Sequence, residues 1–252
     1  MRPIAKPITL FLALLLGACA SSSERQFQDN AAEANFKLGI GYMQSGHFNV
    51  ATEKLLKAVQ YKDDYPEAHN ALAVLYEEIR EYGPAETHYK RAIELKSDYT
   101  LAKLNYARFL CTHLPVRVAE GEAEFQRLAA EPANAGATAA DAYAGMALCA
   151  RQRNDPAQAE TWLRKALELD PNNTSALYAM AELSQTQSKT LQGRAFLQRY
   201  HGRTRPTAQS LGLGILIEQA SDGDPQLRRE YGTLLLSQFP NSDEARRLKQ
   251  SK

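Results

Sequence analysis

No apolar run in this chain is long enough to cross a bilayer, which takes roughly 20 residues. The best candidate, Ile8 to Leu16, spans only about nine. Neither sign of charge dominates either, with 30 lysines and arginines against 29 aspartates and glutamates. That balance argues against nucleic acid, which needs a concentrated basic face. Histidines and cysteines are few and scattered. His47, His69, His88, His113 and His201 form no His-x-x-x-His pair, and no Cys-x-x-Cys or Gly-x-Ser-x-Gly is present. Gly212-x-Gly214 lacks the third glycine and preceding strand of a phosphate loop. The expectation is a protein that is not an enzyme, with no catalytic residues, cofactor, metal or small-molecule substrate.

The amino terminus has an order of its own. Arg2 and Lys6 precede the apolar run, and Gly17 and Ala18 follow it. A charged region, a short apolar region and small residues make a secretion signal. Leu16-Gly17-Ala18-Cys19 resembles the lipobox of bacterial lipoproteins. The resemblance implies cleavage before Cys19, acylation of that residue and attachment to a membrane through its lipid. Ala20 and Ser21 follow, not an aspartate, which implies the periplasmic face of the outer membrane. Losing Arg2 and Lys6 leaves 28 basic against 29 acidic residues in the mature chain. The polar residues 19–29 read as a lipidated tether.

Beyond the tether the chain repeats itself. Gly39 is followed at 12 residues by Ala51 and seven later by Ala58. Ala73, Ala85 and Ala92 keep the same gaps, as do Ala147, Ala159 and Ala166. Common starting points fall at Ala32, Pro66, Thr100, Ala140, Thr174 and Ala208, separated by 34, 34, 40, 34 and 34 residues. A 34-residue period with small residues at these places resembles the tetratricopeptide repeat, a helix-turn-helix unit. The resemblance implies an all-α fold, a right-handed superhelical solenoid of about six helix pairs. Repeats are expected near 32–65, 66–99, 100–139, 140–173, 174–207 and 208–241, within a domain 30–252 that ends in a short charged cap, 242–252. Small residues let the two helices of a unit cross closely. Leu38, Tyr42 and Leu55, with Leu72, Tyr76 and Tyr89, are expected to fill the remaining core.

The third copy departs from the pattern: Ala107 and Gly121 stand 14 apart, so its inter-helix turn holds two extra residues. The sixth has Ile215 and Leu227 where small side chains belong. Trp162, the single tryptophan, reads as packing between helices, with a binding anchor as the alternative. Cys111 and Cys149 fall at similar heights on the first helices of the third and fourth copies, so they are read either as a disulfide or as two buried thiols.

In the repeat resemblance, ligand-facing places lie on the first helix of each unit. They give Phe36, Ile40 and Met43 in the first copy, Asn70 and Val74 in the second, and Leu101, Leu104 and Arg108 in the third. Phe36, Ile40 and Met43 share one helical face and read as the anchor of a partner groove, unless the tether folds back over them. The carboxylate clamp of some repeat proteins is absent, because its places hold Phe36, Ile40, Ala71, Leu101 and Asn105.

A lipobox, six such repeats and the segments NYARFLC and DPNNTSAL together resemble the pilotin lipoproteins of type IV pili, the PilF/PilW family. The resemblance implies a partner, the pilus secretin, whose delivery to the outer membrane and multimerisation the lipoprotein would favour. Two other readings stay open at this point: a scaffold in outer-membrane barrel assembly and an adaptor for cell-wall hydrolases.

Overall fold

In the computed structural model, residues 9–220 and 222–250 are described, with side chains from Glu24 onward. Residues 1–8 and the Cys19 side chain lie outside the described residues. Among those described there are thirteen α-helices and two 3-10 turns, with no strand. The helices are α1 (Thr9–Gln44), α2 (Phe48–Tyr61), α3 (Pro66–Glu78), α4 (Tyr82–Leu95), α5 (Thr100–His113), α6 (Val118–Ala130) and α7 (Ala137–Gln152). They continue with α8 (Pro156–Leu169), α9 (Thr174–Thr186), α10 (Thr190–His201), α11 (Ala208–Ile217), α12 (Pro225–Gln238) and α13 (Asp243–Gln250). Consecutive helices pack as antiparallel pairs, and the fold is all-α. The chain forms two compact units, 1–106 and 107–252.

Local sequence explains where the helices start and stop. Pro66, Pro156 and Pro225 open α3, α8 and α12, where a missing N–H costs nothing. Asp155, Asn173 and Asp224 accept hydrogen bonds from backbone N–H groups at the starts of α8, α9 and α12. Thr207 and Ser210 make a reciprocal capping box at α11. Between the helices of a pair, Gly46, Arg80, Asn154 and Ser188 all have positive φ, between 57° and 74°. They occupy the same place in four repeats, so this turn needs a left-handed residue whether or not glycine supplies it. The longer third turn uses the 3-10 segment Pro115–Arg117 in its place.

In the first unit Ala51, Ala58, Ala73, Ala85 and Ala92 are fully buried, as are Leu55, Leu72 and Tyr89. The Tyr89 hydroxyl donates to Glu77 at 2.7 Å, so the buried phenol keeps a partner. Leu38 and Tyr42 depart from expectation: they are 50% and 37% exposed. The residues at their places in the second copy are covered because α2 packs against α3. In the first repeat the same face is open among the described residues. The stretch read as a tether is helical backbone within α1, and Asp29 pairs with Lys62 at 3.0 Å.

In the second unit Ala147, Ala159, Leu163 and Ala166 are fully buried. Cys111 on α5 and Cys149 on α7 are joined by a disulfide, with their Cα atoms 5.1 Å apart. Trp162 stacks on Tyr143 with centroids 5.7 Å apart, and Lys165 lies 4.4 Å above the Tyr143 ring. The sixth repeat, with Ile215 in a small-residue place, achieves close approach one residue earlier. The Tyr231 ring lies directly on Gly214, where a Cβ would come within 2.7 Å of it. Gly212 and Gly214 are therefore helix-packing positions inside α11. A bidentate pair closes the unit's loops: Arg194 donates through Nε, at 2.7 Å, and Nη2 to Glu218, which also accepts the Asp224 N–H at 2.7 Å.

Candidate partner-binding surfaces

Phe36, Ile40 and Met43 share a stripe of α1 and are half-buried. They pack on the cluster of Ala51, Leu55, Ala71, Leu72 and Leu75, with the Phe36 ring 5.1 Å from that of Tyr65. Their role is thus partly internal, because they join the first repeat to the second. Asn70 is buried and accepts a hydrogen bond from Asn105 at 3.2 Å. Val74 and Leu104 are half-buried, while Leu101 is 52% exposed. Arg108 belongs to the second unit.

A different stripe of α1 presents open apolar surface. Phe27, Leu38 and Tyr42, spaced at i, i+11 and i+15, return to one helical face after three and four turns. Phe27 is 61% exposed. The sequence pattern placed Leu38 and Tyr42 in a core that the first repeat cannot complete alone, and so missed them as surface.

The sequence also gave no hint that two histidines meet. His69 and His88 place their Nδ1 atoms 2.9 Å apart, and His88 stacks on Tyr76. His69 Nε2 lies 3.0 Å from the Asp63 carbonyl, which can only accept, so that nitrogen carries a proton. Neutral His69 then accepts at Nδ1 from the Nδ1–H of His88. Burial lowers the His69 pKa, and burial together with the His69 charge lowers that of His88 to about 4. The nearest ionic groups are Asp63 and Arg91, paired at 2.5 Å. A folded-state pKa below the unfolded value of about 6.5 means the unfolded chain binds more protons between the two values. The stability these groups contribute is therefore complete above pH 6.5 and is lost as pH falls toward 4. Melting followed by circular dichroism should show the first unit's midpoint dropping over that window. His88→Phe should flatten the slope, and an unchanged slope would refute the assignment.

Among the described residues no group of three or more histidine, cysteine or acidic side chains is placed to hold a metal, and no helix is long and apolar enough to cross a membrane.

Models of the tetratricopeptide repeat match residues 36–100 and 140–173. The chain contains tetratricopeptide repeats over these residues. This repeat protein is similar to the type IV pilus assembly protein PilF of Pseudomonas aeruginosa, with 27% identity over 93% of the chain and 94% of PilF. A structure from a functional characterisation of Pseudomonas aeruginosa PilF superposes with a TM-score of 0.59 at 26% identity, covering 89% of this chain and 99% of that one. PilW, a widely conserved type IV pilus biogenesis factor, shares the fold with a TM-score of 0.64 at 24% identity, covering 86% and 97% of the two chains.

Proposed function

We propose that this repeat protein is a pilotin of type IV pilus biogenesis, anchored through acylated Cys19 to the periplasmic face of the outer membrane. It binds the secretin subunit and favours its localisation and multimerisation there. The observation that carries the reading is similarity to PilF along nearly the full length of both chains. The lipobox residues supply the anchor. Holding secretin subunits at one membrane raises their effective concentration, which promotes assembly without an active site.

The first repeat offers the contact surface. Its exposed stripe, Phe27, Leu38 and Tyr42, suits an amphipathic helical segment, which would cover it as α2 covers α3. Phe36, Ile40 and Met43 form the adjoining groove, but charges there would also break packing against Leu72 and Leu75. The discriminating variant is therefore Leu38→Glu/Tyr42→Glu, at exposed sites whose substitution leaves stability within about 0.5 kcal/mol. Secretin should fail to co-purify with this variant from solubilised outer membrane while its melting midpoint is retained. Cys19→Ser should leave secretin unassembled in the wrong membrane. Undiminished capture by the folded double variant would rule out the first-repeat surface.

A further inference from the structure

Charge is balanced over the chain as a whole, but one stretch of it is not. Between Glu182 and Glu218 there is no aspartate or glutamate, while Lys189, Arg194, Arg199, Arg203 and Arg205 are present. Carboxylates outside the stretch answer two of these cations: Arg194 pairs with Glu218, and Lys189 lies 3.9 Å from Glu160. The other three are exposed. Arg199 stands over the Phe196 ring, 5.7 Å from its centroid, and donates from Nη2 to the Pro171 carbonyl at 2.6 Å. Arg203 and Arg205, on the turn between α10 and α11, make no ion pair among the described residues. His201, at the start of that turn, is kept neutral by burial, which lowers its pKa.

The elements packed around this turn do not cancel its charge. Toward α9 and α11 a depression of about 340 Å3 is lined by Thr174, Ser175, Tyr178, Tyr200, Thr204 and Thr207, and no carboxylate faces it. Toward α8 stand Glu168 and Asp170. Glu168 shares a smaller depression with Arg199 and with Arg164, which Glu160 neutralises at 2.5 Å. Asp170 accepts the Asn172 N–H at 2.9 Å. Neither acid is paired with an arginine among the described residues. Both lie on the α8 side, so Arg203 and Arg205 carry the uncompensated charge. Leu169, between the two acids, is 44% exposed, and it precedes by two residues the carbonyl that Arg199 holds.

We propose that the α10–α11 turn docks on an anionic lipid surface, with Arg203 and Arg205 on lipid phosphates, Arg199 beside them and Leu169 entering the interface. A guanidinium meets a phosphate through two parallel N–H donors. Each arginine brought to an anionic bilayer adds a similar increment and needs no fixed partner geometry, which suits side chains on an exposed turn. An exposed leucine beside cations gains by burial at the headgroup boundary. The mature chain holds 28 basic against 29 acidic residues, so a local cluster has to supply the attraction. The proposal rests on the pilotin reading only for the membrane at hand. The acyl chains keep the protein there, and this edge sets which side of the second unit turns to the bilayer.

The test is vesicle flotation of the mature chain carrying Cys19→Ser, so that no acyl group contributes. The chain should float with vesicles of equal parts phosphatidylcholine and phosphatidylglycerol, stay behind with phosphatidylcholine alone, and be released by added salt. Arg203→Gln/Arg205→Gln should weaken partitioning roughly 25-fold, about fivefold for each arginine. Arg228→Gln/Arg229→Gln removes the same charge from exposed, unpaired positions of α12 and should change it less than about twofold. Trp162 fluorescence and melting verify that both variants stay folded. Failure to float, equal flotation with both kinds of vesicle, or equal losses in the two variants would overturn the proposal. So would binding of a glutamate-rich peptide that needs Arg203 and Arg205 while the vesicles are ignored, since that assigns the cluster to an acidic protein. Secretin capture by Arg203→Gln/Arg205→Gln should equal that of the wild type, which keeps this test apart from that of the pilotin reading.

Discussion

Reduction of the Cys111–Cys149 bridge should lower the unfolding free energy of the second unit by about 4 kcal/mol, the value for a closed loop of this size in the chain-entropy model. The two cysteines are separated by 38 residues, and the loop between them contains the long third turn and all of α6. Opening the bridge lets this loop spread in the unfolded chain, while the folded unit keeps its packing. At roughly 2–4 °C per kcal/mol, the midpoint should fall by on the order of 10 °C. Trp162 lies on α8, which pairs with the α7 that carries Cys149, so its fluorescence reports on this unit. Cys149→Ala should lose at least as much as reduction does, because it also removes a buried sulfur. Melting curves that coincide with and without reductant would dispose of the bridge. The His69–His88 pair belongs to the first unit, so its pH slope should survive reduction.

What the sequence disclosed was arithmetic. A 34-residue period with small residues at fixed gaps places helices, turns and crossing points, because a repeated unit must meet its neighbours in a repeated way. Ala51, Ala58, Ala85 and Ala92 are buried for that reason. Periodicity says nothing about whether a neighbour exists, so Leu38 and Tyr42 looked like core and are surface. The stripe of Phe36, Ile40 and Met43 was legible as a stripe, but its packing on Leu72 and Leu75 was not, since that depends on how the second repeat lies against the first. The approach of His69 to His88 joins places 19 residues apart on different helices, and neither place has a histidine in the other copies. In the sixth repeat the expected small position holds Ile215, and Gly214 beside it takes the close contact with Tyr231. The burial of Ala245 and the packing of Leu248 on the core were hidden because the composition of α13, read alone, is that of a solvated helix.

Two glycines within helices look alike in the sequence and should respond to substitution with opposite sign. At Gly41 on α1 an added Cβ meets nothing within 4 Å. Alanine there should stabilise the first unit by up to about 1 kcal/mol through helix propensity. At Gly121 on α6 a Cβ would lie 2.6 Å from Cys111 Sγ, 2.7 Å from the Ala107 carbonyl oxygen and 3.1 Å from Leu110 Cβ. None of these atoms can retreat: one is held in the disulfide, one is helix backbone, and one is fixed to it. Gly121→Val would have to lever α6 away from α5, at a cost of about 3 kcal/mol or more in the second unit. Because the sulfur is part of the obstruction, Gly121→Ala should be less damaging in a Cys111→Ala background than in the wild type. A double-mutant cycle by urea denaturation, read at Trp162, measures that coupling, and a value within about 0.3–0.5 kcal/mol of zero would show that the contact is not made as described.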